Sequence, residues 1–343
     1  MPTRTQPVNE PTTAVRTIPV RLTGVGHAVP EAVLSNADLE RLVETSDEWI
    51  FTRTGIRERR VLAEPLKLHD LCVPAARRAL DQAAVDPRTL DLIIVATSSP
   101  DHPMPSNAAL LQAELGACNA AAFDLEAACS GYVYALTVAR QFIATGMYRR
   151  VLVVGADMLS RYMDYTDRGT CILFGDGAGA TVLEAAEDEG LLAMTLAADG
   201  RGACHLDIAP NPNEPEPPGR MARRAFMHMN GKEIYRFVME LVPKAIEETC
   251  AKAGLAVSDI DYFLLHQANA RILEAVCKRL NVPAERMLHN IANYGNTSAA
   301  SIPILLAESV EAGTIRAGHK ICMVGFGAGL TWGCAVAEWT AGR

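Results

Sequence analysis

Cys129 stands between a short apolar run, Ala120 to Phe123, and a segment whose apolar residues recur at helical spacing: Tyr132, Ala135, Leu136, Ala139, Phe142 and Ile143. This order predicts a strand, a tight turn of small residues and a helix, with the thiol at the helix N-terminus. Unpaired N–H groups and the helix dipole favour a thiolate there, and the thiolate is the nucleophilic form of cysteine. The expectation is a thiol pKa below the ordinary value of about 8.5. The bland alternative is a small buried hydrophobe, the usual role of cysteine in a core.

Three further segments hold complementary groups. In Phe263-Leu264-Leu265-His266-Gln267-Ala268-Asn269, an apolar strand ends directly on a histidine and a helix follows. Functional groups of α/β proteins gather at such carboxyl ends of strands. A core or capping histidine is the alternative. In Asn293-Tyr294-Gly295-Asn296-Thr297-Ser298-Ala299-Ala300-Ser301, a polar turn presents Asn296 just before a helix. Asparagine is also common at turns and caps for local reasons. In Val324 to Gly333, glycines at 325, 327, 329 and 333 allow a backbone to approach a ligand and aim N–H groups at it. That loop suits half of an oxyanion hole, or an ordinary tight hairpin. Together, a thiol, an imidazole, an amide donor and a backbone anion site suit acyl transfer through a thioester.

The elements that must position these groups alternate between strand-like and helix-like segments, the pattern of an α/β protein. Strands are expected at Leu92 to Ala96, Val151 to Val154, Ile172 to Phe174, Ala180 to Leu183, Tyr262 to Leu265, Ile321 to Gly325 and Gly333 to Trp339. Helices are expected at Leu71 to Ala84, Ser106 to Leu115, Lys232 to Ala253, Ala270 to Leu280 and Ile302 to Ala312. Five prolines between Ala209 and Arg224 predict a surface loop. Both halves carry an apolar strand, a reactive residue and a helix, which suggests a duplicated architecture. The glycines of Phe174-Gly175-Asp176-Gly177-Ala178-Gly179-Ala180 do not match a nucleotide loop, and no Walker lysine follows them. Close packing is the reading adopted for them.

Bulk properties narrow the classes. The chain has 343 residues, 49% of them hydrophobic and 21% charged, as in a globular protein with a large core. A net charge of -8 argues against general electrostatic binding of nucleic acid. Nine cysteines, odd in number and without a C-x-x-C pair, argue against a disulfide framework or a zinc site and for a reducing cytoplasm. No apolar run reaches the roughly 18 residues that span a membrane. Residues 1–17 are polar, without an apolar core, and read as a flexible tail rather than a secretory signal.

The chain resembles the β-ketoacyl-acyl-carrier-protein synthase III family, the condensing enzymes that start type II fatty-acid synthesis. The resemblance runs from about Ile18 to Trp339. It rests on Thr45-Ser46-Asp47-Glu48-Trp49-Ile50, Thr52 to Arg59, Ala127-Ala128-Cys129-Ser130-Gly131 and Thr166 to Thr170. It rests also on the glycine motif from Phe174, His266-Gln267-Ala268-Asn269 and Gly295 to Ser301. It implies a thiolase fold, five layers α-β-α-β-α built from two similar halves, in a homodimer. The division expected is a tail over 1–17, a half carrying the nucleophile over 18–190 and a half carrying His and Asn over 191–343.

Carried over by residue, the resemblance implies Cys129 as nucleophile with His266 and Asn296 as partners. It implies an oxyanion hole from the N–H groups of Cys129 and Ala328, the latter standing where glycine is frequent. Coenzyme A contacts fall on Trp49, Arg53, Arg168 and Asn269; indole and guanidinium groups suit stacking on adenine. Carrier-protein docking falls on Arg236, Arg271, Lys278 and Arg279, a basic surface for an acidic partner. Phe326 lies beside the catalytic centre. Met104 takes the place of an aromatic residue that reaches the partner subunit's acyl pocket, so a flexible methionine there leaves more room for the primer.

The implied cycle loads an acyl-CoA primer on Cys129 and then condenses it with decarboxylating malonyl-acyl-carrier protein. His266 and Asn296 donate hydrogen bonds to the enolate oxygen. No metal or redox cofactor is required. Two other readings stand beside this one: a starter-loading or acyltransfer relative in specialised metabolism, and a non-enzymatic scaffold that binds an acyl carrier. The sequence does not fix the primer.

Overall fold

The computed structural model describes residues 17–210 and 225–340. Most of the expected tail over 1–17, and residues 211–224 of the expected proline-rich loop, lie outside the described residues.

The first part of the chain forms β1 Val20–Ala28, β2 Val33–Ser35, α1 Asn36–Leu39, α2 Asp47–Thr54, β3 Glu58–Arg60, α3 His69–Ala83 and β4 Leu92–Ala96. Next come α4 Asn107–Leu115, β5 Ala121–Leu125, α5 Gly131–Ala144, β6 Arg150–Met158 and β7 Asp176–Ala185. The remainder forms β8 Ala193–Ala198, β9 Leu206–Pro210, β10 Ala225–Met229, α6 Gly231–Lys252, β11 Tyr262–Leu265 and α7 Ala270–Leu280. It closes with α8 Ile291–Tyr294, α9 Ser301–Glu311, β12 Lys320–Gly327 and β13 Thr331–Glu338.

Two sheets carry the architecture. The first has the order β1-β7-β6-β4-β5 and the second the order β11-β12-β13-β8. Helices α3 and α4 cover one face of the first sheet. Helices α5 and α9 lie between the sheets, touching strands of both. Helix α6 covers the far face of the second sheet, with α7 beside it. The order of layers is therefore α-β-α-β-α.

The strand sequences explain why both faces are covered. In β6, Val151 and Val153 face the central helices while Leu152 and Val154 face α3 and α4. In β12, Ile321 and Met323 face the centre while Cys322, Val324 and Phe326 face outward to α6. A strand buried on both faces reads as an unbroken apolar run, which is what these segments are.

The glycines from Gly175 onward serve packing. A Cβ on Gly179 would stand 2.7 Å from the Ile304 amide nitrogen, and one on Gly175 would stand 2.4 Å from the Tyr294 carbonyl oxygen. They let β7 lie against α9 and against the turn that carries Asn296.

The expectation of a strand over Ile172 to Phe174 is corrected. These residues form a turn that ends in a single bridge between Phe174 and Asn296. The Leu173 carbonyl accepts the Asn296 N–H at 2.8 Å, so the segment pairs with the turn that carries Asn296 rather than with a sheet.

Candidate active site

Cys129 sits in a turn of 3-10 helix, Ala128–Ser130, that joins β5 to α5. The residue before it, Ala128, has a φ of 47°. That left-handed backbone is costly for an L-residue, and the turn that redirects the chain from strand to helix requires it. Cys129 is 6% exposed. Contrary to the sequence expectation, burial pushes its thiol up to about 12, against a smaller opposing effect of the Ser298 hydroxyl. Removing the sulfur from water outweighs the helix terminus, so the resting group is the thiol.

His266 follows β11 and extends its parallel ladder, its N–H donating to Val324 O at 2.8 Å. The imidazole is 2% exposed and packs edge-on against Phe326, with ring centroids 5.2 Å apart. Burial lowers its pKa to about 3, with a weaker opposing effect of the Ser298 carbonyl. It is therefore neutral at physiological pH. Ser301 Oγ lies 2.8 Å from His266 Nδ1 and 2.8 Å from Ser298 O. Its single proton serves one of these at a time. When it serves Nδ1, the ring carries its own proton on Nε2.

Asn296 is oriented by a local turn. Its Oδ1 accepts the Ser298 N–H at 2.9 Å, which leaves Nδ2 as the cavity-facing donor. Behind the turn, Gly295 has a φ of 63°, and a Cβ there would stand 2.5 Å from Leu173 O. The buried Arg59 fills the space behind it, donating to Asn36 Oδ1 at 2.6 Å and from Nε to Ile172 O at 2.9 Å. Burial lowers the Arg59 pKa to about 10.

The glycine loop closes the other side. Strands β12 and β13 run to Gly327 and from Thr331, so the loop is the tight turn between them. A Cβ on Gly327 would stand 2.8 Å from Cys129 Cβ and 3.0 Å from Sγ. Ala328, the next residue, is not among those with positive φ, so an L-residue fits there without strain.

Cys129 lines two cavities. One, about 260 Å³, is walled by Leu159, Phe174, Leu206, Ile208, Met227 and Ala328 among others and is mainly apolar. The other, about 90 Å³, is lined by Cys129, His266, Asn296, Phe326, Gly327 and Asn269, among others. A thiol, an imidazole and a carboxamide donor thus converge on one small space beside an apolar chamber.

Comparison with known proteins decides the family. Residues 123–200 match the model for 3-oxoacyl-[acyl-carrier-protein] synthase III, and residues 250–339 match the model for its C-terminal part. A β-ketoacyl-[acyl-carrier-protein] synthase III of Gloeobacter violaceus is 54% identical over 324 residues, 93% of this chain and 98% of that one. The chain belongs to the β-ketoacyl-acyl-carrier-protein synthase III family. It is accordingly a condensing acyltransferase. A chloroplastic synthase III of Arabidopsis thaliana is 48% identical, covering 93% of this chain and 82% of the relative. The 3-oxoacyl-[acyl-carrier-protein] synthase III structure from Aquifex aeolicus VF5 superposes with a TM-score of 0.87 at 42% identity, covering 93% and 100% of the two chains. The priming β-ketosynthase of the R1128 polyketide pathway superposes at 0.90 with 34% identity, covering 97% and 100%. The thiolase-type fold of the synthase III family is thereby shown.

The remaining positions expected of a synthase III fall as follows. The Arg53 guanidinium lies 4.3 Å from the Trp49 ring centroid, and that of Arg168 lies 5.2 Å from it. All three meet at one surface. Asn269 caps α7 and donates to Arg53 O at 3.1 Å. Arg271 donates to Thr52 O at 3.0 Å. Arg271, Lys278 and Arg279 share α7 and are exposed; Arg236 stands on α6, paired with Glu233 at 2.6 Å. Met104 is 82% exposed in the loop after β4, and a single chain does not bring it to either cavity. Ser298, Ser301, Arg59 and Gly327 were not assigned roles from sequence. Only Gly327 carried a usable signal, as a glycine in a loop expected to approach a ligand. Among the described residues no group of three His, Cys, Asp or Glu is placed to hold a metal ion, and no helix is long and apolar enough to cross a membrane.

Proposed function

We propose that Cys129 accepts an acyl group from an acyl-CoA primer and passes it to the carbanion formed when malonyl-acyl-carrier protein loses CO2. The observation that carries this reading is the convergence of Cys129, His266 and Asn296 on the small cavity beside the apolar chamber. The apolar chamber suits the primer's alkyl chain. The tetrahedral oxyanion meets the N–H groups of Cys129 and Ala328. In the second half-reaction Asn296 Nδ2 and His266, with its proton on Nε2, donate to the developing enolate oxygen. That tautomer requires Ser301 to turn its proton from Ser298 O to Nδ1. The carbanion then attacks the acyl thioester, and a β-ketoacyl-carrier protein leaves. The chemistry proceeds on protein groups and the two substrates, with no metal or redox cofactor.

Coenzyme A is held by Trp49, Arg53 and Arg168 at the adenine, with Asn269 on the way to the cavity. The acidic carrier docks on Arg236, Arg271, Lys278 and Arg279. The protein works as a homodimer in which Met104 reaches its partner's acyl pocket, and residues 18–190 and 191–343 form the two halves. A reducing cytoplasm suits its nine cysteines, all of them free. The 54% identity to the Gloeobacter violaceus synthase III, against 34% to the polyketide priming enzyme, favours the housekeeping role.

Intact-protein mass spectrometry with a panel of acyl-CoAs tests this. An adduct on the native protein, absent in Cys129→Ala and discharged by malonyl-carrier protein, is expected. An adduct that malonyl-carrier protein leaves in place would indicate simple acyl transfer. No adduct from any primer would favour a carrier-binding scaffold.

A further inference from the structure

The site described so far lacks a destination for the proton of Cys129. The thiol is buried, and a neutral, buried His266 is a poor store for a proton. A second group lies on the other side of the sulfur. Ser298 Oγ is 3.3 Å from Cys129 Sγ, and the Ser298 backbone is held at a φ of 52°. A non-glycine residue keeps that conformation only where its surroundings impose it.

Asp157, at the end of β6, bonds to the same turn. Its carboxylate is fully buried. It accepts from Ser98 N at 2.9 Å, Ser99 Oγ at 2.8 Å, Thr97 Oγ1 at 3.2 Å and Ala299 N at 3.2 Å, and the Ser298 side chain also hydrogen-bonds to it. Every one of these donors is neutral. A buried carboxylate without a cation is expensive, and taking up a proton relieves the cost. Burial raises the Asp157 pKa, in agreement with that argument. The other titratable groups close by are Glu126, which accepts from Ser98 Oγ at 3.1 Å and Ala128 N at 2.9 Å, the buried thiol of Cys72 on α3, and His266.

We propose that Ser298 is a catalytic residue that relays the Cys129 proton to Asp157, which keeps it while the sulfur carries the acyl group. This rests on the reading of Cys129 as the acyl-accepting nucleophile. In the relay the S–H bond breaks and Ser298 Oγ takes that proton. The Ser298 hydroxyl, which donates to Sγ in the resting structure, turns to Asp157 as it does so, and its own proton passes to the carboxylate. One negative charge moves from oxygen to sulfur and none is created, which is the economical way to ionise a thiol in a site closed to water. The thiolate attacks the primer, and coenzyme A departs as a thiolate that solvent protonates. When condensation releases the Cys129 sulfur, both protons move back. The net proton consumed is the one that coenzyme A takes.

Alkylation of Cys129 by iodoacetamide reads thiolate formation without any acyl substrate, so it separates failure of the relay from failure of the condensing-enzyme reading. Peptide mass spectrometry follows Cys129, with the exposed Cys118 and Cys204 as internal controls. Asp157→Asn and Ser298→Ala are each expected to slow alkylation at neutral pH by at least about tenfold, and the double variant no further than either. If Asp157 were only a nearby negative charge, Asp157→Asn would speed alkylation, and that result would overturn the relay. The native protein supplies a measurement that needs no variant. In mixtures of light and heavy water the rate is expected to curve with deuterium fraction, as two moving protons require; a straight line would also overturn the proposal.

Discussion

The backbone of Gly327 and the side chain of Cys129 occupy adjoining space, with room between them for no further atom. A Cβ on residue 327 would stand 3.1 Å from the Cys129 amide nitrogen as well as against Cβ and Sγ. Gly327→Ala is therefore expected to displace the nucleophile. Acylation should fall by about a hundredfold, the usual consequence of misplacing a reacting atom by an ångström. Stopped-flow release of coenzyme A from an acyl-CoA checks this.

Ser301 reaches His266 Nδ1 without touching the sulfur, and on the proposed reading its turn from Ser298 O to Nδ1 leaves the ring proton on Nε2. Ser301→Ala should lower decarboxylation of malonyl-carrier protein by about tenfold or more while changing Cys129 acylation far less. Separate assays of the two half-reactions measure the split. Equal losses in both would contradict the role given to His266.

His266 also links stability to acidity. Its folded pKa, about 3, lies below the ordinary histidine value. Between the two values the unfolded chain binds more protons than the folded one, so stability rises with pH across that window. The contribution is complete above about pH 6.5 and is lost as pH falls towards 3, at roughly 1.4 kcal/mol per pH unit. Denaturant unfolding from pH 7 to pH 4 should show this slope, and His266→Gln should flatten it.

Two guanidinium groups, of Arg53 and Arg168, lie against the Trp49 ring. Trp49→Ala should raise KM for acyl-CoA by roughly three- to tenfold, the value of one aromatic stacking contact. The rate at saturation should change little, because the indole is remote from the reacting bond. Steady-state kinetics with acyl-CoA varied at saturating malonyl-carrier protein would show it.

Met104 tests the dimer. If its side chain closes the partner's acyl pocket, Met104→Phe should shift preference from branched towards acetyl primers. Competition between acetyl-CoA and a branched acyl-CoA reads the ratio, and an unchanged ratio would remove Met104 from the pocket.

Much of this was legible in the sequence because it is written locally. The runs Leu92 to Ala96 and Tyr262 to Leu265 are strands at those bounds, since a strand buried on both faces must be apolar throughout. Helix α7 was likewise bounded correctly, by an Asn cap and an apolar stripe. Strand β1 was not foreseen, because Thr23, His27 and two glycines interrupt its apolar pattern. Those glycines are required by α3: a Cβ on Gly24 would stand 2.3 Å from the Ala79 carbonyl oxygen. The residues that meet in the small cavity, Cys129, His266 and Asn296, were readable, but the state of the thiol was not. The helix terminus beside Cys129 is visible in sequence, whereas the burial that outweighs it comes from strands and turns far along the chain. Asp157 shows the same limit. Nothing near it in sequence marks it, and its partners come from residues 97–99 and 298–299.

The two cavities at Cys129 bear on the order of events. They share the sulfur, Phe174 and Leu206 but are otherwise walled by different residues. A primer whose tail rests in the larger chamber leaves the smaller one to be emptied and refilled. On the proposed reading the acyl group stays parked while its first carrier is exchanged for the second, so the alternation of the two half-reactions is a matter of plumbing, with one inlet used twice.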